Sequence, residues 1–145
     1  MTTAGPFQTF PPIHDLSRIA PGPVLVVAPH PDDEIIGCGG VIALHHDRGD
    51  AVHVALVTGG EAGGDAGERL AESRAAAAEL GQAQLTALAA PDGSVASDAD
   101  LPRRLAAVLD AVQPRIVYAP SPFEMHPDHV ATLRATLSAL RGRDA

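Results

Sequence analysis

Short runs rich in valine and isoleucine alternate along this chain with longer, alanine-rich segments, and that alternation limits the fold more than any other feature. PVLVVAP (23–29), AVHVALVT (51–58), AQLTAL (83–88) and PRIVYAP (114–120) have the length and β-branched content of strands. Between them GCGGVIALHHDRG, GERLAESRAAAAELG and DADLPRRLAAVLDAVQ read as helices, the second and third with stop signals at Gly81 and before Pro114. HVATLRATLSALRG supplies a fourth helix. Strand followed by helix, four times over, predicts an α/β fold: a Rossmann-like three-layer sandwich with a parallel sheet and right-handed crossovers.

In such sheets ligands bind beyond the carboxyl ends of the strands, where neighbouring connections diverge to opposite faces. Two unusual clusters fall there. "HPDDE" (30–34) follows strand one directly, and "SPFEMHPDH" (121–129) follows strand four. They can share a ligand only if strands one and four are neighbours, so the expected strand order is 3-2-1-4.

Length and composition bound the rest. A chain of 145 residues that is 46% hydrophobic can build one domain with a real core, expected over 23–145 behind an irregular, proline-spotted arm at 1–22. The net charge of -8 argues against a nucleic-acid partner, because neutralising phosphates takes clustered Lys and Arg. No apolar run reaches the roughly 18 residues that a membrane span needs. The opening MTTAGPFQTFPPIHDL has neither the basic nor the apolar region of a signal peptide, which makes the cytoplasm the expected compartment. The one thiol, Cys38, has no partner for an internal disulfide and reads as a small residue in a tight helix start.

Carboxylates crowded beside an imidazole repel one another unless something positive sits among them. Capping the next helix would occupy one acid, at about 0.3–1 kcal/mol, but not three. Two imidazoles and a carboxylate form a common protein shell for catalytic zinc, with a fourth position left open. His30 and Asp33, three apart in a tight loop, offer part of that shell, and His126 and His129 offer the remainder. The residues leave open which histidine of HPDH is the ligand, and taken alone HPDH also fits an ordinary turn with Asp128 as helix cap. Asp32, beside a ligand but facing another way, suits a general base. Glu34 reads as support for the loop, and GCGG as letting the helix start close to the sheet. His14, His45, His46 and His53 have no acids at ligand spacing and read as arm, exposed-helix or strand residues. The glycine-rich GGEAGGDAG (59–67) is the one other feature, and as a phosphate cradle in a magnesium phosphotransferase it lacks the lysine such loops favour.

"PHPDDEIIGCGG" followed much later by "SPFEMHPDH" resembles the PIG-L/LmbE family of zinc-dependent N-deacetylases, which remove acetyl from N-acetylglucosamine units of glycoconjugates. "RLAESRAAAAELG" (69–81) is similar to the family's R-x-x-E-x-x-x-A-x-x-x-L-G helix, and "LAAPDGSV" (88–95) to its strand-end aspartate before glycine; the resemblance runs from Val24 to Leu140. It implies that His30, Asp33 and His129 bind Zn2+ and that Asp32 is the general base. It implies further that His126 stabilises the tetrahedral oxyanion, that Asp128 orients a catalytic neighbour, and that Arg69 and Asp92 reach sugar hydroxyls. The implied substrate is a small amino sugar or glycoconjugate; the alternative is a relative that binds metal without turnover. Family members continue well past the helix after HPDH, so the segments that complete the pocket are expected to be missing here. An apolar strand four would then be an edge that pairs with a second copy or a partner chain.

Overall fold

The computed structural model describes residues 20–81 and 83–143. Four parallel strands, β1 (Val24–Ala28), β2 (Val52–Thr58), β3 (Gln84–Ala90) and β4 (Ile116–Tyr118), lie in the order β3-β2-β1-β4. The expected arm at 1–22 therefore falls, but for its last residues, outside the described region.

Four helices connect and follow the strands: α1 (Asp33–Asp47), α2 (Ala66–Glu79), α3 (Leu101–Val112) and α4 (Pro127–Leu140). β1 alternates its side chains between two cores, as the period of a strand requires. Leu25 and Val27 join Ala55, Val57, Leu105 and Ala135 on the face covered by α3 and α4. Val24, Val26 and Ala28 join Val54, Leu56 and Ile42 on the face covered by α1 and α2. Every residue of β1 is buried, which is why PVLVVAP is apolar throughout instead of alternating. Among the described residues no helix is long and apolar enough to cross a membrane.

Four expectations need correcting. β4 pairs over Ile116–Tyr118 alone, so PRIVYAP supplies three strand residues and a short edge in place of a long one. His45 is not exposed: it is 0% accessible, its Nδ1 2.6 Å from Asp50 Oδ2 and its Nε2 3.0 Å from the Tyr118 hydroxyl. GCGG is not demanded by close packing, because a Cβ at Gly37 or Gly40 would meet nothing within 4 Å and one at Gly39 would make only ordinary contact. α1 also starts four residues earlier than the glycines, at Asp33, which draws Asp33 and Glu34 into its first turn.

Candidate active site

The order β3-β2-β1-β4 sends the chain one way from β1 through α1 and the other way into β4, and the crevice between β1 and β4 opens where those connections part. The β1–α1 turn carries His30 to Asp32 into this crevice, and the β4–α4 loop carries Glu124 and His126. The loop after β3 adds Asp92 from behind.

Asp33 is the hub. Its Oδ2 lies 3.2 Å from His30 Nδ1 and 3.2 Å from His129 Nε2, so residues nearly a hundred positions apart converge on one carboxylate oxygen. His30, His126 and His129 can each present a ring nitrogen within 4.8 Å of the others. On its far side His30 Nε2 lies 3.2 Å from both Asp92 Oδ1 and Asp128 Oδ2. Carboxylates lie at both of its nitrogens, and the Asp33 hydrogen bond, against burial and with help from Asp128, raises His30 to about 9. Burial pushes Asp33 up, yet His30 and His129 hold it below its ordinary value.

Among the described residues two groups have donor atoms close enough for an ion: the three histidines, and His30 with Asp92 and Asp128. Their chemistry differs. Asp128 is 1% accessible and already satisfied, accepting from the Val95 N–H at Oδ1 and from the Gly93 N–H and His30 at Oδ2. Burial raises Asp128, and the Val95 N–H, His30 and the Gly93 N–H together hold it low. Asp92 Oδ2 accepts from the Ala62 N–H at 2.8 Å. Asp92 and Asp128 thus meet His30 Nε2 while each also accepts from a backbone N–H. Asp33 belongs to neither group; its Oδ2 instead joins His30 Nδ1 to His129 Nε2 at 3.2 Å each, beside a cleft lined by Asp33 and His129.

Asp32 points elsewhere. Its side chain is 59% exposed, and its backbone sits at φ 107, a conformation that L residues rarely adopt and that concentrates at functional sites. It makes no side-chain cap bond to α1. Arg69 Nη2 reaches Asp32 Oδ2 at 3.3 Å and donates to the Pro31 carbonyl at 2.7 Å. Both residues expected at sugar hydroxyls are thus engaged within the protein, Arg69 with the β1–α1 turn and Asp92 with His30. His126 occupies the N-cap of α4, where Nδ1 accepts from the Asp128 N–H at 3.2 Å, so the cap is the histidine and not the aspartate.

One residue of the loop had no assigned part. Glu124 Oε2 lies 3.6 Å from His129 Nδ1, across the ring from Asp33; its only sequence signal is its place two residues before His126. Clefts open on either side of the cluster. One, of about 550 Å3, is lined by Asp32, Ile36, Arg69 and Glu72; the other, of about 310 Å3, by Asp33, Glu124 and His129.

Comparison with known proteins gives this arrangement a family. Residues 25–140 match the family model described as PIG-L, GlcNAc-PI de-N-acetylase. The chain belongs to the PIG-L family. It is 35% identical over 160 residues to a 1D-myo-inositol 2-acetamido-2-deoxy-alpha-D-glucopyranoside deacetylase of Mycobacterium sp., covering 86% of this chain and 52% of that one. Among solved structures, the N,N'-diacetylchitobiose deacetylase of Pyrococcus horikoshii superposes with a TM-score of 0.76 at 32% identity, over 81% of this chain and 49% of that chain. GalB of Pseudomonas putida, a 4-carboxy-2-hydroxymuconate hydratase, superposes with a TM-score of 0.74 at 31% identity, over 81% of this chain and 55% of that chain. Deacetylases and a hydratase therefore share the PIG-L fold. The chain spans about half the length of the curated relatives it matches.

Proposed function

We propose that this PIG-L protein is a metal-dependent N-deacetylase that hydrolyses the acetamido group of a small amino sugar or glycoconjugate, with zinc as its metal. The observation that carries the reading is the Asp33 carboxylate shared between His30 and His129, with the strained, exposed Asp32 beside it. The names of its relatives, deacetylases of acetamido sugars, supply the substrate class.

His30, Asp33 and His129 would hold the cation. When bound, zinc polarises a carbonyl oxygen and lowers the pKa of water toward about 7. Asp32, its side chain exposed, takes a proton from the attacking water as a C–O bond forms at the acetyl carbon. The carbonyl oxygen then carries negative charge, and His126 donates to it from the N-terminus of α4, an end that itself favours anions. Collapse breaks the C–N bond, the amine leaves with a proton returned by Asp32, and acetate remains. Asp128 and Asp92 keep His30 in one orientation throughout.

Acetate release from an N-acetylglucosamine conjugate, measured with added zinc and with chelator, tests the proposal. Acetate and free amine in equal amounts, lost on chelation, are expected. Tight metal binding without any release would leave the alternative of a relative that binds metal without turnover.

A further inference from the structure

Of the three acids that follow His30, Glu34 is the one that the reaction as described leaves unused. It is 1% accessible, and of its two carboxylate oxygens only Oε2 has a partner, the Asp32 N–H at 3.0 Å. Oε1 is buried and meets no donor among the described residues. Leaving a buried polar atom unpaired costs stability, so a fold that needed only packing at this position would be better served by an apolar side chain. The first turn of α1 does favour acids, but an exposed one would serve that end equally well.

What Glu34 holds is the backbone of Asp32. That residue sits at φ 107, a conformation that persists only where its surroundings over-determine it. Its carbonyl accepts from the Ile35 and Ile36 N–H groups, both at 2.9 Å, and its own N–H goes to Glu34, so both of its backbone polar groups are engaged. The arrangement is half of a capping box. An acid inside the helix reaches back to the N–H of the N-cap residue, but the N-cap side chain gives no bond in return. An aspartate at an N-cap ordinarily turns its carboxylate onto the helix. Here the carboxylate stays exposed and lines the cleft beside α1.

We propose that Glu34 is a positioning residue: by accepting from the Asp32 N–H it fixes the turn from within, which leaves the Asp32 carboxylate free to act as base. The role of Asp32 rests on the deacetylase reading above, whereas the clamp on its backbone does not. Three variants serve. Glu34→Gln keeps an oxygen acceptor of the same reach, Glu34→Met fills a similar volume without one, and Glu34→Asp withdraws the acceptor by one methylene.

With zinc loaded and an N-acetylglucosamine conjugate as substrate, Glu34→Met should lower kcat by about 100-fold, the scale of a misplacement near 1 Å, with KM and zinc content near wild type. Glu34→Gln should restore most of that loss. Amide hydrogen exchange, read on the same proteins without turnover, follows the clamp directly: the Asp32, Ile35 and Ile36 N–H groups should lose protection in Glu34→Met and keep it in Glu34→Gln. Glu34→Asp gives the same two readings if Glu34→Met does not fold. Unchanged protection of these amides overturns the proposal, as does a variant that is less stable to urea but keeps its kcat, since Glu34 would then serve the fold alone. Zinc lost from Glu34→Gln and Glu34→Met alike would place Glu34 in the metal shell and also overturns it. If the wild-type protein releases no acetate, the deacetylase reading fails while the exchange measurement still decides the clamp.

Discussion

At the carboxyl end of the sheet His30 lies against Asp33, and at the amino end His45 lies against Asp50. Both pairs are histidine–aspartate contacts, at 3.2 Å and 2.6 Å. The surroundings differ. Around His45 each group answers another: Asp50 also accepts from the Gly22 N–H and from Arg48 Nε at 2.8 Å, and Tyr118 meets the far nitrogen of the ring. The arginine balances the carboxylate, and the network ties α1 to β4. Around His30 three carboxylates face one imidazole, with His126 and His129 alongside and open clefts on both sides. A histidine–aspartate contact is therefore no sign of a site. Negative charge converging beyond what the local cations neutralise, next to open space, is the sign.

The comparison breaks most sharply on Asp32. Asp32→Asn should keep zinc near the wild-type content while turnover falls by about 10²- to 10⁴-fold, the usual size of general-base help. Metal loss in that variant would make Asp32 a ligand. His126→Ala should likewise keep zinc and lose about 10²-fold or more in kcat, if it is the oxyanion donor.

At the amino end the effect should appear in stability alone. Asp50→Ala breaks a buried, charge-paired network, and we expect a loss of about 3–5 kcal/mol in urea unfolding with zinc affinity unchanged. The pH dependence has a fixed sign. Burial pushes Asp50 up, but His45, Arg48 and the Gly22 N–H overcome it and hold the carboxyl at about 2. Its value in the unfolded chain is about 3.9, so its stabilisation is complete above that pH and is lost as the pH falls toward 2. The urea midpoint of the wild type should drop through that window, and Asp50→Asn should lack this part of the drop.

Smaller effects sharpen the line between ligand and backing. Asp128→Asn replaces an acceptor of two backbone N–H groups and His30, and zinc affinity should fall by about 10- to 100-fold with the ligands themselves intact. A larger loss would place Asp128 on the metal. The weakest expectation concerns the outer edge of β4. Phe123 and Met125 stand 90% and 95% exposed in the loop after it, and weak self-association through that edge should show as concentration-dependent sedimentation. A clean monomer across the series would show that a three-residue edge is short enough to be harmless.

The four-fold alternation of strand and helix is local information, written in β-branched runs and alanine-rich segments, and it fixed the layer architecture without help. Strand order came from an inference one step longer, that two clusters of ligand-type residues must meet. The glycine loop, which lacks the lysine of a phosphate cradle, had no occupant legible in sequence, because the guanidinium that packs against Gly60 and Gly63 comes from Arg69 in α2. Sequence already set His30, with three acids in the next four residues, apart from His45, but the burial of His45 against Asp50 and Tyr118 came only from packing. His45 is sealed by Tyr118, 73 residues on in β4, while His30 meets Asp128, whose carboxylate is held by the N–H groups of Gly93 and Val95 in the loop after β3. Side-chain type and spacing nominated His30, Asp33, His126 and His129 as candidate cation ligands. Tertiary structure decided which were left with surplus charge and open space, because neutralisation and burial depend on neighbours that the sequence places far apart.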